Sequence, residues 1–279
     1  MGIINNLLPK RIKPISRYFG FCVKSLFYKL NSINKKVNSS PIFVLGNQKS
    51  GTSVIASLLG ELTDKKIAID LFYSGFRSKL FEKWKDAEIS TSDFINLNKI
   101  EFSTEIIKEP HLTVFYKELK SEFQESKFVV IVRNPLDNIR SILDRLNVNG
   151  NKKNLSKSEK KSFFHSWNLL LNNHWIGGNK SQYIEVLAER WNIISNVYLQ
   201  NKDDIILIKY EDFLSNKQKT LEDLAKILDL EIVTDITKNL DRQYQPKGNS
   251  EIDLKEFFGE ENYKIIERLC KENMKELGY

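Results

Sequence analysis

Cysteine and histidine are scarce in this chain of 279 residues, with two of the former and three of the latter. Cys22 and Cys270 stand far apart with no CxxC spacing, so neither a disulfide framework nor a thiolate metal site is implied. His111, His165 and His174 form no ligand pattern, which argues against a histidine-based metal centre, and no metal is expected. A run of the roughly 18 to 20 apolar residues needed to span a bilayer is missing. So is an apolar leader with a small-residue cleavage site, and the expected setting is cytoplasmic. Nucleic-acid signatures are absent too, so nucleic acid is not an expected partner.

Acidic residues are missing from the first forty positions, which hold eight lysines and arginines. An apolar stripe runs through Phe19, Phe21, Val23, Leu26, Phe27 and Leu30. Two readings stay open for residues 1–39. One is a basic amphipathic segment making a peripheral contact with the inner, anionic membrane face. The other is a helix packed on the rest of the protein. The whole chain has a net charge of +7, which suits an anionic ligand or surface without choosing one. Its 41% hydrophobic and 28% charged content is that of an ordinary globular protein able to bury a core.

Pro41 to Leu59, PIFVLGNQKSGTSVIASLL, is the stretch around which the rest of the chain is organised. Ile42 to Leu45 reads as a buried strand, Gly46 to Gly51 as a polar turn, and a helix opens near Thr52. Glycines at both ends of such a turn let backbone N–H groups approach an anion, and the helix start adds unpaired donors. Lys49 contributes a mobile charge, and Ser50, Thr52 and Ser53 contribute hydroxyls. A nucleotide-triphosphatase loop carries its lysine directly after the second glycine. Here Lys49 comes two residues before Gly51, as KSGTS.

Further along, KIAI (66–69) reads as a strand with Asp70 at its carboxyl end, and EIIK (105–108) as another, leading into Glu109-Pro110-His111. KFVVIV (127–132) is the clearest strand, apolar enough for a sheet buried on both faces. It delivers Arg133-Asn134-Pro135 and a helix carrying Arg140 and Ser141. Residues 147–161 read as a mobile loop or lid, residues 162–175 as helix, and DIILI (204–208) as a late strand. Ligand sites in open α/β sheets lie outside the strands' carboxyl ends. Asp70, Lys108 and Arg133 therefore share the neighbourhood of the glycine turn.

KSGTS after a strand, VRNPLDNIRSIL, KEPHL and IKYEDFL together resemble the sulfotransferases that use 3′-phosphoadenosine 5′-phosphosulfate (PAPS). The resemblance covers residues 40–279 as one domain and implies an α/β three-layer sandwich with a central parallel sheet. In such a family Lys49, Ser50, Gly51, Thr52 and Ser53 would hold the 5′-phosphosulfate, and Arg133 and Ser141 the 3′-phosphate. Lys247 and Gly248 are similar to the pair in the family's nucleotide-covering loop. Lys49 and Lys108 would meet the charge on the transferring group. Asp70 lies where relatives place a carboxylate base, one carbon shorter here. His111 is the rival, since KEPHL is similar to a histidine motif shifted by one, and Glu109 stands behind both. The implied acceptor is a hydroxyl or amine of a glycan, glycolipid or small alcohol. The rivals are a P-loop-type phosphotransferase and a nucleotide-binding scaffold without catalysis.

Overall fold

The computed structural model describes residues 24–73, 79–163, 165–242 and 252–279. Its centre is one sheet of five strands: β1 (Ile42–Gly46), β2 (Ile67–Ile69), β3 (Ile106–Lys108), β4 (Lys127–Val132) and β5 (Ile205–Lys209). They lie in the order β2-β3-β1-β4-β5, every neighbouring pair parallel. Parallel neighbours need crossovers, so helices cover both faces and the central strands meet no solvent. The five strands therefore end at one edge.

Alternation along the strands divides the core in two. Phe43, Leu45, Ile107, Phe128, Val130 and Val132 face one layer. There they meet α3 (Pro135–Leu146), α4 (Tyr183–Leu199) and α6 (Leu254–Leu277). Ile42, Val44, Ile106, Val129 and Ile131 face the other, under α2 (Thr52–Thr63) and α5 (Lys217–Ile227). Phe43 and Phe128 are register partners in β1 and β4, and their rings stack at 5.1 Å. Each such buried side chain contributes about 1.5–3 kcal/mol. The register is thus set from the core outward: a one-residue slip would turn both phenylalanines to the wrong layer.

The strands expected from apolar runs are found within a residue of their expected ends. Two expectations do not hold. Residues 149–152 are not a swinging lid, because Tyr183 and Asn262 tie them down. Asn262 Nδ2 donates to the carbonyls of Gly150 at 2.7 Å and Lys152 at 2.9 Å, and Tyr183 Oη donates to Gly150 O at 2.7 Å. Residues 165–176 are not a continuous helix but short pieces, His165–Asn168, Leu169–Leu171 and His174–Ile176. Asparagines divert it: Asn172 Oδ1 takes a local bond from His174 N at 3.1 Å, and Asn173 Nδ2 reaches across to Val186 O on α4 at 2.6 Å. A left-handed Gly259 kinks α6.

Candidate active site

β1 ends at Gly46, whose φ is 135° and whose absent Cβ would lie 2.3 Å from the Ile131 carbonyl on the neighbouring strand. Only glycine fits that approach. The turn after it is held from beneath by Asn138 of α3, a wholly buried side chain. Its Nδ2 donates to Gln48 O at 2.8 Å and Ser50 Oγ at 2.9 Å, and its Oδ1 accepts from Asn47 Nδ2 at 2.8 Å. Lys49 sits in the left-handed region with φ 65°, and Gly51 comes next but one at φ 92° as the N-cap of α2. Gly51 provides no side-chain cap, and the first turn of α2 has no acid. A helix start with a positive dipole end and no acid of its own suits an incoming anion. Ser50, Thr52 and Ser53 are all buried along this turn.

Cations converge on the same turn. Arg133, just past β4, donates from Nη1 to Lys49 O at 3.0 Å and lies over the Tyr210 ring at 4.9 Å. Burial lowers its pKa, against the nearby charge of Asp137. Burial also lowers the pKa of Lys49, and the charges of Arg145 and Arg133 push the same way. Both shifts mark a positive field around the turn, which suits an anionic ligand. Arg145 is a member that reading the motifs missed. It lies one turn beyond Ser141 on α3, so the i, i+4 spacing was the available signal. Asn138, one turn before Ser141, was missed as well. Arg140 is not a ligand group here: it pairs with Asp144 at 2.9 Å and Asp137 at 3.5 Å. Glu211 is structural, accepting from Asn134 N at 2.9 Å and from Tyr279 Oη at 2.8 Å.

The acid–base candidates gather at the ends of β2 and β3. Ile69 and Lys108 are register partners, Asp70 N donates to Lys108 O at 2.8 Å, and Lys108 Nζ donates to Asp70 Oδ1. Asp70 is left-handed, φ 61°, and its side chain is 58% exposed where Lys108 is buried. More than half of this side chain thus meets solvent, while the surrounding protein still desolvates the carboxylate. That enclosure and the charge of Glu109 raise its pKa, and Lys108 pulls it back.

His111 is placed quite differently. It is 5% exposed, stacked on Phe81 at 4.9 Å and 6.2 Å from Trp175. Burial alone would raise the Glu109 carboxyl, but the His111 ring and the Lys108 ammonium outweigh it and bring the pKa to about 2. An ionised carboxylate can only accept, so His111 Nδ1 donates to Glu109 Oε1 at 2.9 Å. Backbone N–H groups of His111 and Leu71 also donate to Glu109, at 3.1 and 3.2 Å. The ring's Nε2 lies 3.3 Å from the Gln48 side-chain amide. Arg190, another residue the sequence did not single out, is buried close by. Burial pulls its pKa to about 10 against the charge of Glu109.

The site thus joins Lys49, Ser50, Gly51, Thr52, Ser53 and Arg133 around one turn, with Ser141 buried on the helix that carries Asn138 and Arg145. Asp70 and Lys108 form a pair, and His111 is bound to Glu109. Lys247 and Gly248 lie outside the described residues.

The model of the sulfotransferase domain family matches residues 39–278. The chain belongs to that family. A sulfotransferase is a transferase enzyme, and the P-loop-like parallel sheet seen here is the family's fold. Similar solved structures include a sulfotransferase from Mycobacterium avium, 10% identical, with a TM-score of 0.52 over 90% of this chain and 80% of that one. Another is a sulfotransferase from Mycobacterium tuberculosis, 11% identical, TM-score 0.51, covering 95% of this chain and 87% of that one. A mouse sulfotransferase complexed with PAP is 14% identical, TM-score 0.50, with 88% of each chain covered. At these identities the likeness shows the fold. No curated protein sequence matches the chain.

Proposed function

We propose that this sulfotransferase moves a sulfuryl group from PAPS to a hydroxyl or amine of a glycan or glycolipid, releasing 3′-phosphoadenosine 5′-phosphate. The observation that carries the reading is the bond from Arg133 to the Lys49 carbonyl. It sets a guanidinium, suited to bidentate phosphate binding, against the turn whose amides suit a second phosphate. A nucleotide with phosphates at both ribose ends answers that spacing, and the mouse neighbour's complex with PAP supports it. The transferase unit is read as residues 40–279, with residues 1–39 as a basic extension.

In this reading the amides of Ser50 to Ser53 and the Lys49 ammonium hold the 5′-phosphosulfate and meet the charge that develops on its bridging oxygen. Arg133 and Ser141 hold the 3′-phosphate, with Arg145 adding field. Lys247 and Gly248 cover the nucleotide. PAPS supplies the activated sulfuryl group. Asp70, open to solvent beside Lys108, accepts the acceptor's proton as its oxygen or nitrogen bonds to sulfur, and Lys108 orients that carboxylate. The raised pKa of Asp70 suits a base better than an ordinary carboxylate does. His111 is walled by Phe81 and Gln48 and serves to order Glu109.

Calorimetric titration with 3′-phosphoadenosine 5′-phosphate, against ADP and ATP–Mg2+, tests the reading. Micromolar binding that needs the 3′-phosphate and weakens at least tenfold in Arg133→Ala is expected. Preference for ATP–Mg2+, or affinity unchanged in Arg133→Ala, would overturn it.

A further inference from the structure

The helix α1, over residues 24–32, turns its apolar stripe away from the protein. Its inward seam is narrow. Tyr28 is buried, donates its hydroxyl to Glu101, stacks on Phe72 at 4.9 Å and meets Tyr73 edge-on at 5.1 Å. Ser25 Oγ lies 3.2 Å from Tyr73 Oη. Leu26, Phe27, Leu30 and, just beyond the helix, Ile33 are 60%, 61%, 56% and 67% exposed. At 3.6 residues per turn these four fall in an arc of about 120° centred opposite Tyr28. Lys24 and Lys29 flank the arc on either side, and Lys35 and Lys36 come after it. The first acidic residue of the whole chain is Glu61.

An apolar arc with lysines along both margins has the form of an interfacial helix. A second copy is a poor occupant, because pairing the arcs would set the lysines of one copy against those of the other. A protein partner would have to be apolar and acidic at once, which an anionic lipid surface is by construction. We propose that α1 docks this protein on an anionic phospholipid bilayer. Leu26, Phe27, Leu30 and Ile33 enter the boundary between headgroups and acyl chains, and the lysines meet the lipid phosphates. Tyr28 packs on Phe72 and Tyr73, two and three residues after Asp70, so docking holds the Asp70 end of the sheet at the lipid surface. On the sulfuryl-transfer reading, the acceptor is then a hydroxyl carried on a lipid headgroup.

Flotation of the full chain with phosphatidylcholine vesicles, with and without phosphatidylglycerol, tests the docking. The chain is expected to float only with the anionic lipid. The fourfold variant Leu26→Gln, Phe27→Gln, Leu30→Gln, Ile33→Gln should partition at least about tenfold more weakly, with its melting temperature and nucleotide binding unchanged. Equal flotation of variant and wild type would overturn the proposal, as would failure of the wild type to bind the anionic vesicles. A wild-type dimer that the variant dissolves would also overturn it, by assigning the face to a second copy. Nucleotide titration on the same preparation separates the two readings. Intact nucleotide binding without flotation sinks docking alone, and flotation without nucleotide binding sinks the donor assignment alone.

Discussion

Replacing Asn138 with leucine, alike in branching but apolar, tests whether the turn at Gly46 to Gly51 is held from below. Asn138 makes three hydrogen bonds to the turn, to Gln48 O, Ser50 Oγ and Asn47 Nδ2, all between 2.8 and 2.9 Å. Leucine removes all three and leaves their partners to find water or remain unpaired. At about 1 kcal/mol for each bond the loss is roughly 3 kcal/mol. For a chain of this size, that lowers the melting temperature by roughly 6–12 °C. Nucleotide affinity should fall at least about tenfold, because Lys49 and the amides after it lose their fixed geometry. Asn138→Asp separates packing from charge. It keeps the acceptor for Asn47 but sets a carboxylate against Gln48 O and beneath the anion site, so its binding loss should exceed that of leucine. Differential scanning calorimetry and titration with 3′-phosphoadenosine 5′-phosphate read the two effects. A leucine variant melting within about 1 °C of wild type, with unchanged affinity, would refute the clamp.

Asp70→Asn should cut turnover by at least about a hundredfold with nucleotide affinity intact; turnover lost instead in His111→Gln and kept in Asp70→Asn would move the base to the histidine. Because burial and Glu109 raise the Asp70 pKa and Lys108 lowers it, the acid limb of kcat/KM should lie above the ordinary carboxylate range, and Lys108→Ala should move it to higher pH. Glu109 contributes stability that is fully present above its ordinary value of 4.5 and is lost as pH falls through about 2. Urea midpoints of wild type and Glu109→Gln should therefore differ most near neutrality and converge toward pH 2, and a constant gap would sink the assignment. Gly51→Ala places a methyl 2.2 Å from the Tyr210 ring at a backbone φ of 92°, a cost of about 2 kcal/mol or more. Tyr210→Leu in that background should recover part of the melting temperature, and an alanine variant as stable as wild type would contradict the packing.

The five strands were legible because their apolar runs are a property of the backbone's own period, read to within a residue. Gly46 and Gly51 were legible for a similar reason, since a turn between a buried strand and a helix needs residues that adopt positive φ. Lys49 and Arg133 could be placed at strand ends before any contact was known. What they touch could not. Asn138 is some ninety residues from the carbonyl it holds, and nothing local in LDNIRSIL distinguishes it from an exposed asparagine. Asp70 and Lys108, 38 residues apart, meet because β2 pairs with β3 in one register. His111 lies just past the same strand, yet Glu109 turns it inward. The stripe on α1 was visible in the residue order, but which side of that helix meets the protein depended on Tyr28 finding Phe72, Tyr73 and Glu101. Residue order by itself determined the strands, the glycine turn and the placing of Lys49 and Arg133 at strand ends, because these arise from local periodicity and backbone geometry. Tertiary structure alone decided which charges pair, which carboxylate is open to solvent and which apolar face stays uncovered, because those depend on strand order and register between residues far apart in the chain.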